Sequence, residues 1–239
     1  MPADALIHVD GLRKVFGAHL VLDGVGLDVR RGEAVALLGA NGAGKTTLLK
    51  ILATLTRPSR GTAMVGGHDC VREPERVRRV VGLVAHGSYV YEDLTALENL
   101  TFWSALGGLR PSADDLHAAL ADVELERVAH ARARTFSAGM KRRLSLARFV
   151  LARPQVLLLD EPAAGLDQRA KKWLEEHLQA FKARGGGLLM ATHSLGRELA
   201  VADRIAILAG GRIVLDTPRP SIGAEDIQRL YALHAEEGA

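Results

Sequence analysis

The segment from Gly39 to Thr47 reads GANGAGKTT and matches the phosphate-loop pattern G-x-x-x-x-G-K-[ST]. An apolar run from Ala34 to Leu38 precedes it and predicts a buried strand, and helix-forming residues from Leu48 to Leu52 follow it. A strand that leads through a glycine loop into a helix N-terminus binds anions, because free backbone N–H groups and the helix dipole both favour phosphate. This feature restricts the chain to an α/β fold with a nucleotide triphosphate site.

Individual loop residues have predicted roles. We expect Lys45 to neutralise the outer phosphates of the nucleotide and the Thr46 hydroxyl to occupy a Mg²⁺ position. The glycines let the backbone approach the phosphates closely. The predicted nucleotide contacts within the loop are Gly39, Asn41, Gly42, Ala43, Gly44, Lys45, Thr46 and Thr47.

A second segment, VLLLDEP from Val156 to Pro162, supplies two acids directly after an apolar run. Asp160 falls at the carboxyl end of the predicted strand, where open α/β sheets bind ligands, and can hold Mg²⁺ through water. Glu161 can accept a proton from an attacking water. The alternative is a solvated acid pair that opens a helix.

The rest of the chain predicts how these segments are arranged. Strand patterns precede the phosphate loop, continuous apolar runs at 156–159 and 187–192 predict parallel strands covered on both faces, and Gly210-Gly211 predicts a hairpin. From 86 to 150 the apolar spacing is helical. We therefore predict one α/β domain over 1–239. It has a P-loop NTPase core with a mainly parallel sheet and helices on both faces, an antiparallel β subdomain and an inserted α-helical subdomain. The predicted ranges are 1–85 and 151–217 for the core with the antiparallel subdomain, 86–150 for the helical subdomain and 218–239 for a helical tail.

Composition indicates which classes of partner and which location to expect for the chain. The formal net charge is only +3, and the short basic clusters are interpreted as solvated helix faces, so no nucleic-acid partner is expected. No apolar run approaches the ~18–20 residues of a membrane helix, and the first residues lack a signal-peptide pattern, which predicts a chain kept in the cytosol. The single cysteine, Cys70, is expected to be a small buried thiol.

Taken in order, these segments resemble the ATP-binding subunit of an ABC transporter over nearly the whole chain. Thr135 to Met140, TFSAGM, is similar to the family's signature motif LSGGQ, which contacts the terminal phosphate bound by the opposite subunit. Ser137 and Gly139 match the motif, whereas Phe136, Ala138 and Met140 depart from it. A serine and a glycine at a helix start are also what an ordinary helix cap would show.

Three further positions follow from the resemblance. Asp167, in Gly165-Leu166-Asp167, resembles the D-loop residue that crosses the dimer interface, and His193 resembles the switch histidine near the terminal phosphate. Phe16 occupies the position where the family stacks an aromatic ring on adenine; its alternative is core packing.

His86 departs from the family pattern. The family has a glutamine here that contacts magnesium and the attacking water, whereas this chain reads His86-Gly87-Ser88 and then LTALENL from Leu94 to Leu100. That combination resembles the haem exporter ATPases of cytochrome c maturation. Imidazole prefers softer metals than magnesium, so whether His86 reaches the ion directly stays open.

The resemblance implies a homodimer that sandwiches two ATP molecules head to tail and drives separate integral-membrane permease subunits from the cytoplasmic face of the cell membrane. The expected cofactors are ATP and Mg²⁺, and the expected cargo is haem. The alternatives are another ABC exporter ATPase, for drugs, lipids or polysaccharide, a soluble ATPase scaffold such as those of iron–sulfur assembly, and a nucleic-acid-linked ATPase.

Overall fold

The computed structural model describes residues 4–85, 89–193 and 198–219, together with residues 223, 226 and 229. The chain forms two compact units. The first comprises Met1–Ala85, Gln155–Pro162 and Glu175–Ala239, and the second comprises His86–Pro154 and Ala163–Leu174.

The first unit contains every strand that the structure describes. The strands are β1 (Ala5–Phe16), β2 (His19–Arg30), β3 (Ala34–Leu38), β4 (Arg60–Val65), β5 (His68–Asp69), β6 (Val81–Val84), β7 (Val156–Asp160), β8 (Gly187–Thr192), β9 (Arg204–Ala209) and β10 (Arg212–Pro218). Its helices are α1 (Lys45–Leu52), α2 (Pro74–Val80), the second part of α6 (Gln168–Ala183) and α7 (Glu198–Val201).

The larger sheet has six strands in the order β10-β9-β3-β8-β7-β6. Only β10 is antiparallel to its neighbour; the other pairs are parallel. Every residue of β3, β7 and β8 is buried, because parallel strands inside such a sheet are covered on both faces. The predicted mainly parallel sheet and the β9–β10 hairpin are confirmed.

The smaller sheet is antiparallel, with the order β2-β1-β4-β5. Its inward side chains, including Leu12 and Leu22, share one hydrophobic core with Leu48 and Ile51 of α1 and with Leu158 of β7. Removing this apolar surface from water anchors α1 against both sheets. The fold is thus the predicted α/β architecture with an antiparallel β subdomain.

The second unit is helical. It contains α3 (Ala96–Leu106), α4 (Ala113–Asp122), α5 (Ala138–Ala152) and the first part of α6 (Gln168–Ala183). Capping boxes fix the starts of two helices: Thr95 with Glu98 begins α3, and Ser112 with Asp115 begins α4.

The second unit is longer than the predicted subdomain of 86–150. It also takes in 151–154 and 163–174. A Cβ placed on Gly139 would lie 3.1 Å from the Ala170 side chain, so the start of α6 packs on α5. Of the predicted tail, 218–239, the structure describes residues 218, 219, 223, 226 and 229, and the rest of that prediction lies outside the described residues. Within the part of the chain that the structure describes, no helix has both the length and the apolar character needed to cross a membrane.

We predict that the Cys70 thiol is unreactive in the folded protein. Cys70 is 5% exposed, and burial, assisted by the nearby Asp69 carboxylate, raises the pKa of the thiol to about 12. The reactive thiolate is therefore scarce at neutral pH. Ellman's reagent should not titrate Cys70 in native protein and should titrate one thiol per chain in concentrated guanidinium chloride. Prompt labelling of native protein would contradict the buried position.

Candidate active site

The phosphate loop joins the carboxyl end of β3 to the N-terminus of α1, and two glycines make its path possible. A Cβ on Gly39 would lie 2.5 Å from the Leu208 carbonyl oxygen of β9. Gly44 precedes α1 with φ +106°, and a Cβ there would lie 2.7 Å from Leu22 Cδ2. Larger residues cannot take either position without moving backbone or core side chains, so the predicted close approach depends on glycine.

Lys45 lies inside the loop. Its Nζ donates hydrogen bonds to the carbonyl oxygens of Gly39, at 2.5 Å, and Ala40, at 3.0 Å. Burial lowers the pKa of Lys45, and the carboxylates of Glu161 and Asp160 oppose that shift. Only 6% of the residue is exposed. The site therefore holds a poorly hydrated ammonium, which suits charge-assisted contact with a phosphate.

Thr46 and Asp160 meet although 114 positions separate them. Thr46 Oγ1 donates to Asp160 Oδ2 at 2.8 Å. Asp160 ends β7 and is 4% exposed, so its carboxylate is fixed at the carboxyl edge of the sheet. A hydroxyl and a carboxylate side by side are hard oxygen donors, the type that Mg²⁺ prefers, and the pair therefore fits that ion.

Glu161 has an unusual backbone. Its φ is +50°, in the left-handed region that non-glycine residues rarely adopt, and its N–H donates to the Ala191 carbonyl at 2.9 Å. The parallel register pairs Asp160 with Ala191, which brings Glu161 beside the end of β8. There its Oε2 accepts a hydrogen bond from Thr192 Oγ1 at 3.3 Å.

His193 contacts Glu161 twice. The His193 backbone N–H donates to Glu161 Oε1 at 2.9 Å, and the imidazole Nδ1 lies 2.6 Å from the same oxygen. The His193 side chain is 53% exposed whereas that of Glu161 is 13% exposed. An acid and an imidazole in contact are suited to holding or moving a proton. The alternative of a merely solvated acid pair does not describe Glu161, because its carboxylate is largely enclosed and hydrogen-bonded.

Phe16 ends β1 and is 47% exposed, so it is not a core residue. Lys14 Nζ lies 4.4 Å from the centre of the Phe16 ring and donates to the Arg57 carbonyl at 2.8 Å. The cation covers part of one ring face. Lys14 was not predicted as a site residue; it lies two positions before Phe16 in β1, a spacing that puts side chains on one face of a regular strand.

Two further candidates, Ser137 and Asp167, belong to the second unit. Ser137 caps α5, and its Oγ accepts a hydrogen bond from the Met140 N–H at 3.2 Å. Asp167 accepts one from the Ala170 N–H at 2.8 Å through Oδ1. Both side chains are therefore helix caps, and contact with a second copy stays a prediction. Asn41 and Gly42 are exposed, Ala43 and Thr47 are half-buried, and His86 lies outside the described residues.

The first unit thus brings together the phosphate loop, Asp160, Glu161 and His193 at one edge of the parallel sheet. A comparison with known families gives this arrangement a class: the sequence profile described as ABC transporter matches residues 22–164. Because more than half of the chain is matched, the protein belongs to the ABC transporter family, as an ATP-binding subunit.

Similar proteins come from several bacteria. The chain is 39% identical to the doxorubicin resistance ATP-binding protein DrrA of Mycobacterium tuberculosis, over 89% of this chain and 66% of the relative. It is 38% identical to the daunorubicin resistance ATP-binding protein DrrA3 of Streptomyces coeruleorubidus, over 93% and 71%. It is 37% identical to the Nod factor export ATP-binding protein I of Ralstonia nicotianae, over 87% and 65%. The chain spans about two thirds of the length of these relatives.

Solved structures agree. An ATP-binding subunit of an ABC transporter superposes with a TM-score of 0.80 at 33% identity, covering 96% of this chain and 94% of the other. The ADP conformation of an ATP-binding cassette, MJ1267, superposes with a TM-score of 0.84 at 21% identity, which supports the fold alone.

We predict that Lys45→Met weakens nucleotide binding roughly tenfold to a hundredfold, because a charge-assisted hydrogen bond contributes about 1.5–3 kcal/mol. Lys50→Met is the matched control, since Lys50 lies on the same helix but is exposed. The measurement is titration of each variant with a fluorescent ATP analogue. Equal nucleotide affinities for the two variants would show that Lys45 does not contact the phosphates.

Proposed function

We propose that the protein binds and hydrolyses ATP as the energy-supplying subunit of an ABC exporter. One observation carries the proposal: the buried Lys45 ammonium, the Thr46–Asp160 pair and the Glu161–His193 pair converge at the carboxyl edge of one sheet. Membership of the family and the match to a solved ATP-binding subunit support it further.

Each group has a task in ATP hydrolysis. Lys45 would bind and orient the outer phosphates, and Thr46 and Asp160 would hold Mg²⁺. When bound, Mg²⁺ supplies positive charge that offsets the negative charge of the phosphates. Glu161 accepts the proton of the attacking water, and the hydrogen bonds from Thr192 and His193 hold its carboxylate in place for that role.

Two copies of the chain would complete the site. In this proposal Ser137 and Gly139 of each copy face the phosphate loop of the other, Asp167 crosses the interface, and Phe16 stacks on adenine. ATP then favours the closed dimer, and hydrolysis returns the copies to the open state. The partner would be an integral-membrane permease, with the ATPase on its cytoplasmic face. The family resemblance supports these assignments.

The proposed cargo is a drug-like small molecule rather than haem. Two of the relatives above are named for resistance to doxorubicin or daunorubicin, which favours this class, and none of those relatives is named for haem or cytochrome c. The haem prediction is therefore not supported; it depended on His86, which lies outside the described residues, and on one short segment. Another relative is named for Nod factor export, which makes that cargo the second candidate.

We predict that Glu161→Gln abolishes turnover while it preserves nucleotide binding. Loss of a general base should reduce the hydrolysis rate roughly 10²–10⁴-fold, and the amide keeps the side chain's shape. ATP should then hold the variant as a dimer, which light scattering detects. Glu126→Gln, an exposed glutamate remote from the phosphate loop in sequence, serves as control and should hydrolyse ATP at the parent rate. Turnover near the parent rate in Glu161→Gln would exclude Glu161 as the base.

The exporter role and the cargo have a separate test. Affinity purification from native membranes with and without ATP, followed by mass spectrometry, should recover a permease. Cells without the gene should accumulate more doxorubicin, and the parent chain but not Glu161→Gln should restore efflux. Unchanged drug accumulation would reject this cargo, and recovery of a cytochrome c maturation permease would reinstate haem. Absence of any membrane partner would favour the soluble scaffold.

A further inference from the structure

Two helix N-termini lie side by side in the second unit. Ser137 caps α5 and Asp167 caps α6, each by accepting a hydrogen bond from the first turn of its helix. Gly139 permits the contact, because a Cβ there would lie only 3.1 Å from Ala170 Cβ. The separation of these first turns is therefore set by direct packing.

A single carboxylate links the two helices through ion pairs. Glu124 follows α4, and its Oε2 lies 2.8 Å from Arg143 Nη1 of α5 and 3.7 Å from Arg169 Nη2 of α6. Glu124 has φ +57°, so the chain turns sharply at this residue. One acid thus pairs with an arginine from each capped helix.

The same arginine of α5 makes a second contact with α6. The Arg143 guanidinium carbon lies 5.9 Å from the ring centre of Trp173, within the range of a cation–π interaction. Trp173 is 6% exposed, and Arg143 has a side chain that is 18% exposed. Arg143 follows the Ser137 cap by six positions, and Trp173 follows the Asp167 cap by six, so this contact lies about one and a half turns from both helix starts.

We infer that a four-residue cluster holds α5 and α6 at a fixed separation, so that Ser137 and Asp167 meet a second copy of the chain as one rigid element. This cluster, the Glu124 bridge, consists of Glu124, Arg143, Arg169 and Trp173. This inference rests on the proposed function, in which those two caps meet the opposite copy. The four residues are positioning residues, and they act on the dimer rather than on nucleotide binding by a single copy.

The negative charge of Glu124 offsets the repulsion between the two arginines. Arg143 and Arg169 both lie within 4 Å of Glu124 Oε2, so neutralising that acid leaves two like charges near each other on adjoining helices. Repulsion then acts on the spacing of the two helices. The effect is expected to be modest, because the Glu124 side chain is 52% exposed and water screens the pair.

The test is Glu124→Gln in the Glu161→Gln background, where ATP should accumulate the dimer. Light scattering against protein concentration measures dimer affinity, which should fall roughly threefold to fivefold. Binding of a fluorescent ADP analogue, which reports on the phosphate loop of a single copy, should change less than about twofold, since the bridge is not part of that loop. A merely structural role would lower the thermal unfolding midpoint and ADP affinity together with dimer affinity.

Glu126→Gln in the same background is the matched control, because it removes an exposed glutamate two positions away in the short 3₁₀ turn Glu126–Val128. A double variant of Glu124→Gln with Arg143→Gln should cost less than the sum of the single variants if the residues act as a unit. Parent-like dimer affinity for Glu124→Gln, or an equal loss in Glu126→Gln, overturns the bridge. Failure of Glu161→Gln alone to dimerise with ATP instead overturns the proposed dimer.

Discussion

The position of the phosphate loop depends on how closely Gly39 lies against the Leu208 carbonyl of β9. Because β3 pairs with β8 on one side and β9 on the other, this contact fixes the loop at the carboxyl edge of the sheet. The same edge carries Asp160 and Glu161 from β7. The buried ammonium of Lys45 is tolerated there because loop carbonyls accept its hydrogen bonds and the two carboxylates oppose the loss of its charge. The position of the loop and the balance of charge around Lys45 thus both result from bringing these groups together at the carboxyl edge of the sheet.

Much of this edge could be predicted from sequence. Continuous apolar runs predicted buried parallel strands, and the positions at the carboxyl end of one run predicted Asp160 and Glu161 as site residues. His193 was predicted from the resemblance to the family's switch histidine. The contact between Glu161 and His193 follows from the parallel register, because Asp160 pairs with Ala191. A sequence pattern alone does not fix a register, so the doubled hydrogen bond to Glu161 required the structure.

Other features depend on long-range packing that leaves no local pattern. Residues 163–174 belong to the second unit because Ala170 lies against Gly139. The sequence could not predict this contact, because a glycine at a helix start is equally explained by the signature motif or by an ordinary helix cap. Glu124 is far from Arg143 and from Arg169 in sequence, and its contact with both arginines has no spacing signal. The haem prediction is not supported for a different reason: it depended on His86 and one short segment, whereas the relatives are named for drug resistance or Nod factor export.

At Glu161 the left-handed backbone lowers the stability of the fold, whereas the side chain supplies the carboxylate of the proposed base. A non-glycine residue in this region costs on the order of 1–2 kcal/mol, a sizeable share of the net stability of a typical domain. Glycine at this position would relieve that cost and remove the carboxylate at once. Under the proposed role of Glu161 as the base, a selection for thermal tolerance alone would tend to recover glycine at position 161 in folded chains that do not hydrolyse ATP, whereas the surface acids of α4 have no proposed catalytic role.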